Sequence, residues 1–362
     1  MPACWCFHSG RARAIQGLVS HTELPLMEVT LAAPYVIAGE SVRARVVGEG
    51  PFRWRLGWRA RGSQRKTDHR EVVANGQGVA TRSGTAVEAT VPVGAPPSHV
   101  GIRVGVDWNF VIIPEGADEG FDTDFQVRAG LAPPRLDPWI TRWQRQERGL
   151  QRSRAWATAL YVVVGLGAFA AACLMAAGAF FQPLSMAIAI AGALALAGGG
   201  AFMSWRESAP GFFADRRARA HLQVTPSPAG LLGGMLEVAV KADPRRVAVA
   251  GGLGWTLRYV ERSATRIFWL DRGQTRERYE WASHVVVTHE GAIGVSHDGA
   301  HRVCVPILAD APPTLSCDHR TIHWQVDVRC GDDVVEAVFY VAPFVADRSK
   351  GRPEWSLEPI SS

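Results

Sequence analysis

Six side chains between residues 297 and 323 are of the types that bind zinc: His297, His301, Cys304, Cys317, His319 and His323. Imidazole and thiolate together make the usual tetrahedral shell. Their spacing does not give paired Cys-x-x-Cys knuckles. In the strand pattern from Ile322 to Arg329, Ile322, Trp324, Val326 and Val328 alternate inward, which turns His323, Gln325, Asp327 and Arg329 toward solvent. His323 then reads as a surface histidine, and no metal ligand is assigned. Cys4-Trp5-Cys6-Phe7-His8 supplies too few ligands for a closed site. Asp332, Asp333 and Glu336 could work as an acid/base set, but following Gly331 they fit a hairpin turn.

The chain has no phosphate-loop, nucleophile-elbow or His-Glu-x-x-His pattern. Gly251-Gly252-Leu253-Gly254 lacks the strand-to-helix setting that aims backbone N–H groups at phosphate, and it reads as a turn. No catalytic residue and no cofactor is therefore assigned. The six cysteines, at 4, 6, 173, 304, 317 and 330, are too sparse for a disulfide framework and read as unbridged thiols.

Charge carries the stronger signal. Residues 40 to 70 hold Arg43, Arg45, Arg53, Arg55, Arg59, Arg61, Arg65, Lys66 and Arg70 against Glu40, Glu49 and Asp68. Strand alternation puts Phe52, Trp54, Leu56 and Trp58 on one face and Arg53, Arg55 and Arg59 on the other. Arg43, Arg45, Arg53, Arg55, Arg59 and Arg61 are thus the candidate site for a protein partner or for anionic lipid. Nucleic acid is the weaker alternative.

The elements that must position these residues fall into several stretches. Residues 27–131 and 234–345 each show short alternating segments cut by Gly, Pro and Asn, and each predicts an all-β sandwich. From Ala155 to Trp205 there is no Asp, Glu, Lys, Arg or His. Since a membrane-crossing helix needs roughly 20 apolar residues, the expectation is two transmembrane helices, 155–181 and 184–205, turning at Gln182-Pro183. Arginines crowd both flanks, 135–154 and 206–232, so both termini are expected in the cytoplasm of a bacterial inner membrane. Asp137-Pro138 opens a basic juxtamembrane helix over 135–154 with Trp139, Trp143 and Leu150 on one side. Residues 1–26 read as a tail or as lying before a true start at Met27, and 346–362 as a second tail.

The two β regions echo each other. Val91-Pro92-Val93-Gly94-Ala95-Pro96-Pro97-Ser98 is matched by Val305-Pro306-Ile307-Leu308-Ala309-Asp310-Ala311-Pro312-Pro313-Thr314. Met27 to Leu31 is matched to Leu236 to Val240, and Ile102 to Asp107 to Ile322 to Asp327. This order predicts a duplicated sandwich. A proline-containing strand leading into Ala-Pro-Pro-Ser/Thr and then an Ile-His-Trp-Gln-Val-Asp-Val strand resembles the arrestin-like β-sandwich of arrestins, retromer's arrestin-like subunit and bacterial sporulation-control proteins. The resemblance implies Greek-key sandwiches that act as adaptors. Those proteins set their sandwiches in tandem with no hairpin between them, so their cargo- and phosphate-sensing residues are not carried over. The expected function is a membrane-anchored, non-enzymatic scaffold that binds a protein partner or itself. The alternatives are a membrane-bound enzyme with a dispersed site and an oligomerising hairpin that perturbs the membrane.

Overall fold

The computed structural model describes residues 27–62, 68–146, 148, 217–271, 274–293, 300–317 and 319–347. The first lobe is built from β1 (Glu28–Leu31), β2 (Tyr35–Ile37), β3 (Ser41–Val47), β4 (Gly50–Arg61), β5 (His69–Ala80), β6 (Thr85–Thr90), β7 (Gly105–Pro114) and β8 (Phe121–Arg128). These make one sheet of order β1-β3-β6 and another of order β2-β8-β7-β4-β5. A short β9 (Gly130–Leu131) leads out of the lobe. The second lobe contains β10 (Leu222–Pro226), β11 (Ala229–Leu232), β12 (Met235–Ala242), β13 (Leu253–Asp271), β14 (Gln274–Ile293), β15 (Ala300–Pro306), β16 (Leu315–Cys317), β17 (Arg320–Cys330) and β18 (Asp333–Val345). Its sheets run β10-β12-β15 and β11-β18-β17-β13-β14, which is the first lobe's order strand for strand.

Alternation explains the layers. In β3, Val42, Ala44 and Val46 are buried while Arg43 and Arg45 point out, and in β12 Leu236, Val238, Val240 and Ala242 are the buried set. Each core is centred on a tryptophan whose indole N–H must find an acceptor once buried. Trp108 donates to the Pro96 carbonyl at 2.8 Å and Trp324 to the Pro312 carbonyl at 2.9 Å. One step further along, Val127 N–H donates to Ser98 Oγ and Val341 N–H to Thr314 Oγ1, both at 2.9 Å. The Pro-Pro-Ser/Thr echo is therefore a repeated clamp between a loop and two strands.

The other two echoes are out of place. Trp108 stands to Trp324 as Pro96 stands to Pro312, so Ile102 does not correspond to Ile322; it is exposed in the loop before β7. The strand equivalent to β12 is β3, whereas Met27 to Leu31 belongs with β1. Asp327 and Gln325 also depart from expectation. Both are buried on the outer face of the second lobe, because Arg258 of β13 lies across Asp327 at 2.9 Å and Gln325 Nε2 donates to Asp327 Oδ1 at 3.2 Å.

Short helices accompany the sheets. Helix α1, residues 137–146, packs one face on the second lobe and leaves Asp137, Pro138, Arg142, Arg145 and Gln146 exposed on the other. Leu136 and Ile140 are buried with Leu231, Tyr340, Ala342 and Phe344, and Trp139 meets Phe344 edge-on at 5.1 Å. Burial pushes the Tyr340 hydroxyl up to about 12, with Arg142 opposing. Helix α2 (Pro244–Ala250) is absent from the all-β reading. Asp243 caps it by accepting from Arg245 N–H, and Gly251 closes it at φ +76°, a left-handed value that favours glycine.

The integral-membrane expectation is corrected. Among the described residues no helix is long and apolar enough to cross a membrane. A span takes about 20 residues at 1.5 Å rise, whereas α2 has 7 residues and α1 is short, carries Arg142 and Arg145 and packs on β18. Among the described residues the fold is mainly β with short helices, and it does not support the two-span, inner-membrane placement. Segments 155–181 and 184–205, on which that expectation rested, lie outside the described residues.

Candidate functional site at the junction of the lobes

Strand alternation assigns Leu257, Tyr259, Glu261 and Ser263 of β13 to the inward face, so a carboxylate stands where an apolar side chain is expected. Glu261 is only 1% exposed. It reaches out of the second lobe into the loop before β7 of the first. Its Oε1 lies 3.2 Å from His99 Nε2, and its Oε2 accepts from the N–H groups of Arg103 at 2.7 Å and Val104 at 3.3 Å. A Cβ on Gly101 would strike the carboxylate, so glycine is what admits it. Burial acts to raise the Glu261 pKa, but the hydrogen bonds from His99, Arg103 and Val104 together outweigh it and hold the group below the usual carboxylate range.

Arg320 repeats the arrangement one strand away. At the start of β17 it shares the inward parity of Ile322 and Trp324, and its side chain is fully buried. Its guanidinium meets Asp68 of the first lobe at 3.0 Å, and Asp68 also accepts from Gly62 N–H at 3.3 Å. A Cβ on Gly62 would come within 2.7 Å of that guanidinium. Burial lowers the Arg320 pKa, and the charge of Asp68 counters it. Around both charged contacts the apolar packing is continuous. Leu315 and Ile322 of the second lobe are buried in the same cluster as Val104, Val106 and Trp108 of the first, with Tyr259 and Cys317 packed against it.

The six candidate arginines do not form one patch. Arg43 and Arg45 lie on β3, where Arg43 meets Glu88 at 3.4 Å and Arg45 donates to the Ser83 carbonyl. The other four lie on β4 in the opposite sheet. There Arg59 at 3.3 Å and Arg61 both pair with Asp107, while Arg53 and Arg55 are exposed and have no charged or hydrogen-bonded partner among the described residues. The histidines and cysteines scatter as well. His301 points inward from β15 and Cys304 outward, Cys317 Sγ donates to the Arg320 carbonyl at 3.6 Å, and His319 stacks on Tyr279 at 4.2 Å. His297 lies outside the described residues. Among the described residues no three or more His, Cys, Asp or Glu side chains converge to hold a metal.

No family model matches the chain, and no curated protein matches it. Among solved structures, squid arrestin is similar over 90% of this chain and 96% of its own, at 8% identity and a TM-score of 0.36. The sporulation control protein Spo0M of Bacillus subtilis is similar over 74% of this chain and 90% of its own, at 10% identity and a TM-score of 0.21. Alpha-2-macroglobulin of E. coli aligns with 88% of this chain but over only 16% of its own length, at 8% identity and a TM-score of 0.22. These values describe a weak arrestin-like β-sandwich resemblance and carry no argument about activity.

Proposed function

We propose that this protein is a non-enzymatic adaptor or scaffold in which two β-sandwich lobes, fixed as one body, present their sheet faces and edges to a protein partner. One observation carries the reading: the buried charged groups at the junction, Glu261 and Arg320, each find their partner in the other lobe, at His99, Arg103 and Val104 and at Asp68. Glu261 accepts three hydrogen bonds across the junction and Arg320 is ion-paired with Asp68, so both are engaged in holding the lobes together. An enzyme using His301 and Cys304 is disfavoured because the two side chains leave opposite faces of β15.

The test is photocrosslinking. A crosslinker placed at Arg55 on the first lobe and, separately, at exposed Val285 on the second should trap the same protein partner from the native host. Recovery of no partner at either position, or measurable turnover lost on changing Cys304 to Ala, would overturn the adaptor reading.

A further inference from the structure

We propose that the outer edge of β5 docks an extended acidic segment of a protein partner, which joins the five-stranded sheet as a sixth strand and sets its carboxylates against Arg53, Arg55 and Arg70. The assignment deepens the adaptor reading and rests on it.

The edge comes first. β5 is the last strand in the order β2-β8-β7-β4-β5, and among the described strands it pairs only with β4. In an antiparallel pair, alternate N–H and C=O groups of an edge strand point away from the sheet and present a template for another chain. Edges are commonly blunted with lysine, proline, bulges or short length. β5 runs 12 residues without Lys or Pro, and between its one bulge, at Val73, and the Val79 carbonyl, which accepts from Thr85 Oγ1, the edge is open. It is also thin on its inner face. A Cβ at Gly76 would lie 2.7 Å from the Trp54 indole and one at Gly78 would lie 2.7 Å from the Phe52 ring, so these rings occupy the space that β5 side chains would fill. Val72 and Val79 are exposed along the strand.

Charge then selects the occupant. Across the outer face Arg53 lies opposite Gln77, Arg55 opposite Asn75 and Arg59 opposite Arg70. Arg53, Arg55 and Arg70 are exposed, with no charged partner among the described residues. The carboxylates of this face lie on the far side. Asp107 on β7 is engaged by Arg59 and Arg61, and Asp122 on β8 accepts from the Asn109 amide at 3.2 Å. Asp124 on β8 has its pKa raised by burial and by its acidic neighbours Asp122 and Asp107. Positive charge thus rises across the sheet toward β5. A strand added there would sit about 5 Å beyond β5 and about 10 Å from β4, a gap that an arginine and a glutamate side chain span together. The alternation that gives main-chain pairing would turn every second side chain of the incoming segment onto this face.

The full chain should be titrated with a fluorescent, N-acetylated peptide of alternating Glu and Val, long enough to run along β5. Binding should weaken with added salt, and the Arg53→Gln/Arg55→Gln variant should bind about five- to tenfold more weakly with an unchanged circular dichroism spectrum. The same peptide N-methylated at alternate amides keeps its charge but cannot form the ladder, and it should lose binding. A Lys-Val peptide should not bind. Equal binding by the methylated peptide, or by the double variant, overturns strand addition at this edge. So does preferential binding of acidic vesicles or of a DNA duplex in place of the peptide. If Arg55 crosslinks to a partner protein while the acidic peptide fails to bind, the docking assignment falls and the adaptor reading stands.

Discussion

The loop that precedes the central tryptophan strand is built differently in the two lobes. In the second lobe it forms β16, whose Leu315, Ser316 and Cys317 pair with Ile322, Thr321 and Arg320 at the start of β17. In the first lobe the equivalent loop makes only a single bridge, His99 to Val106. The amides of Arg103 and Val104 are left without a strand partner, and an unpaired buried N–H is costly. Glu261 satisfies them. The second lobe completes its own sheet, while the first leaves a gap that the second lobe's carboxylate fills. The hairpins diverge in the same spirit. β4 and β5 are 12 residues each, whereas β13 and β14 have 19 and 20, and β13 outruns its pairing with β17 at Ser263. Two copies of one topology have become a socket and a plug.

The largest effect that tests the equivalence concerns the two tryptophans. Trp108→Ala and Trp324→Ala should each cost about 3 to 5 kcal/mol in denaturant unfolding, since both rings are fully buried and both indoles lose the same proline carbonyl. A cost under about 1 kcal/mol at either would break the correspondence.

A similar or somewhat smaller loss is expected at the junction. Arg320→Met strands Asp68 as a buried carboxylate and should cost about 3 kcal/mol, whereas the Asp68→Asn/Arg320→Met pair should recover much of that stability. A double variant as unstable as the single would mean that the pair is not what Arg320 contributes.

The smallest effect contrasts two buried carboxylates by pH. Glu261 has a pKa lower in the folded state than in the unfolded chain, so the folded state binds fewer protons near that pH. Its contribution is full above the unfolded value of about 4.3 and is lost as pH falls through the folded value. Asp327 runs the other way. Burial, only partly offset by Arg258, raises its pKa, so its contribution is full below about 3.9 and is lost as pH rises through the raised value. Glu261→Gln should therefore destabilise at neutral pH and flatten the acid limb of the stability curve, while Asp327→Asn should change neutral-pH stability by no more than about 1 kcal/mol. Equal losses for the two variants would contradict these signs.

The duplicated β character is legible because period-two alternation is local, and so is the recurrence of Pro-Pro-Ser/Thr, but the hydrogen bonds that make it a clamp are seen only in the fold. Register was harder. Val, Ile and Leu strands resemble one another, and Ile102 was matched to Ile322 where the central tryptophans fix the true alignment. The burial of Asp327 depends on Arg258 from another strand, which no reading of β17 alone supplies. The arginines were found by counting charge, but a count cannot separate Arg43 and Arg45 on one sheet from Arg53 and Arg55 on the other. Glu261 and Arg320 were missed although each left a trace, a charge at the inward parity of an otherwise apolar strand. Their partners lie more than 150 residues away in sequence, so only the fold joins them.

Calorimetric unfolding of the full chain tests directly whether Glu261 and Arg320 make the two lobes one body. The wild-type chain should unfold in one cooperative transition spanning both lobes, and Glu261→Ala/Arg320→Met should separate it into two. Two independent transitions in the wild type, unmoved by the double substitution, would contradict the account.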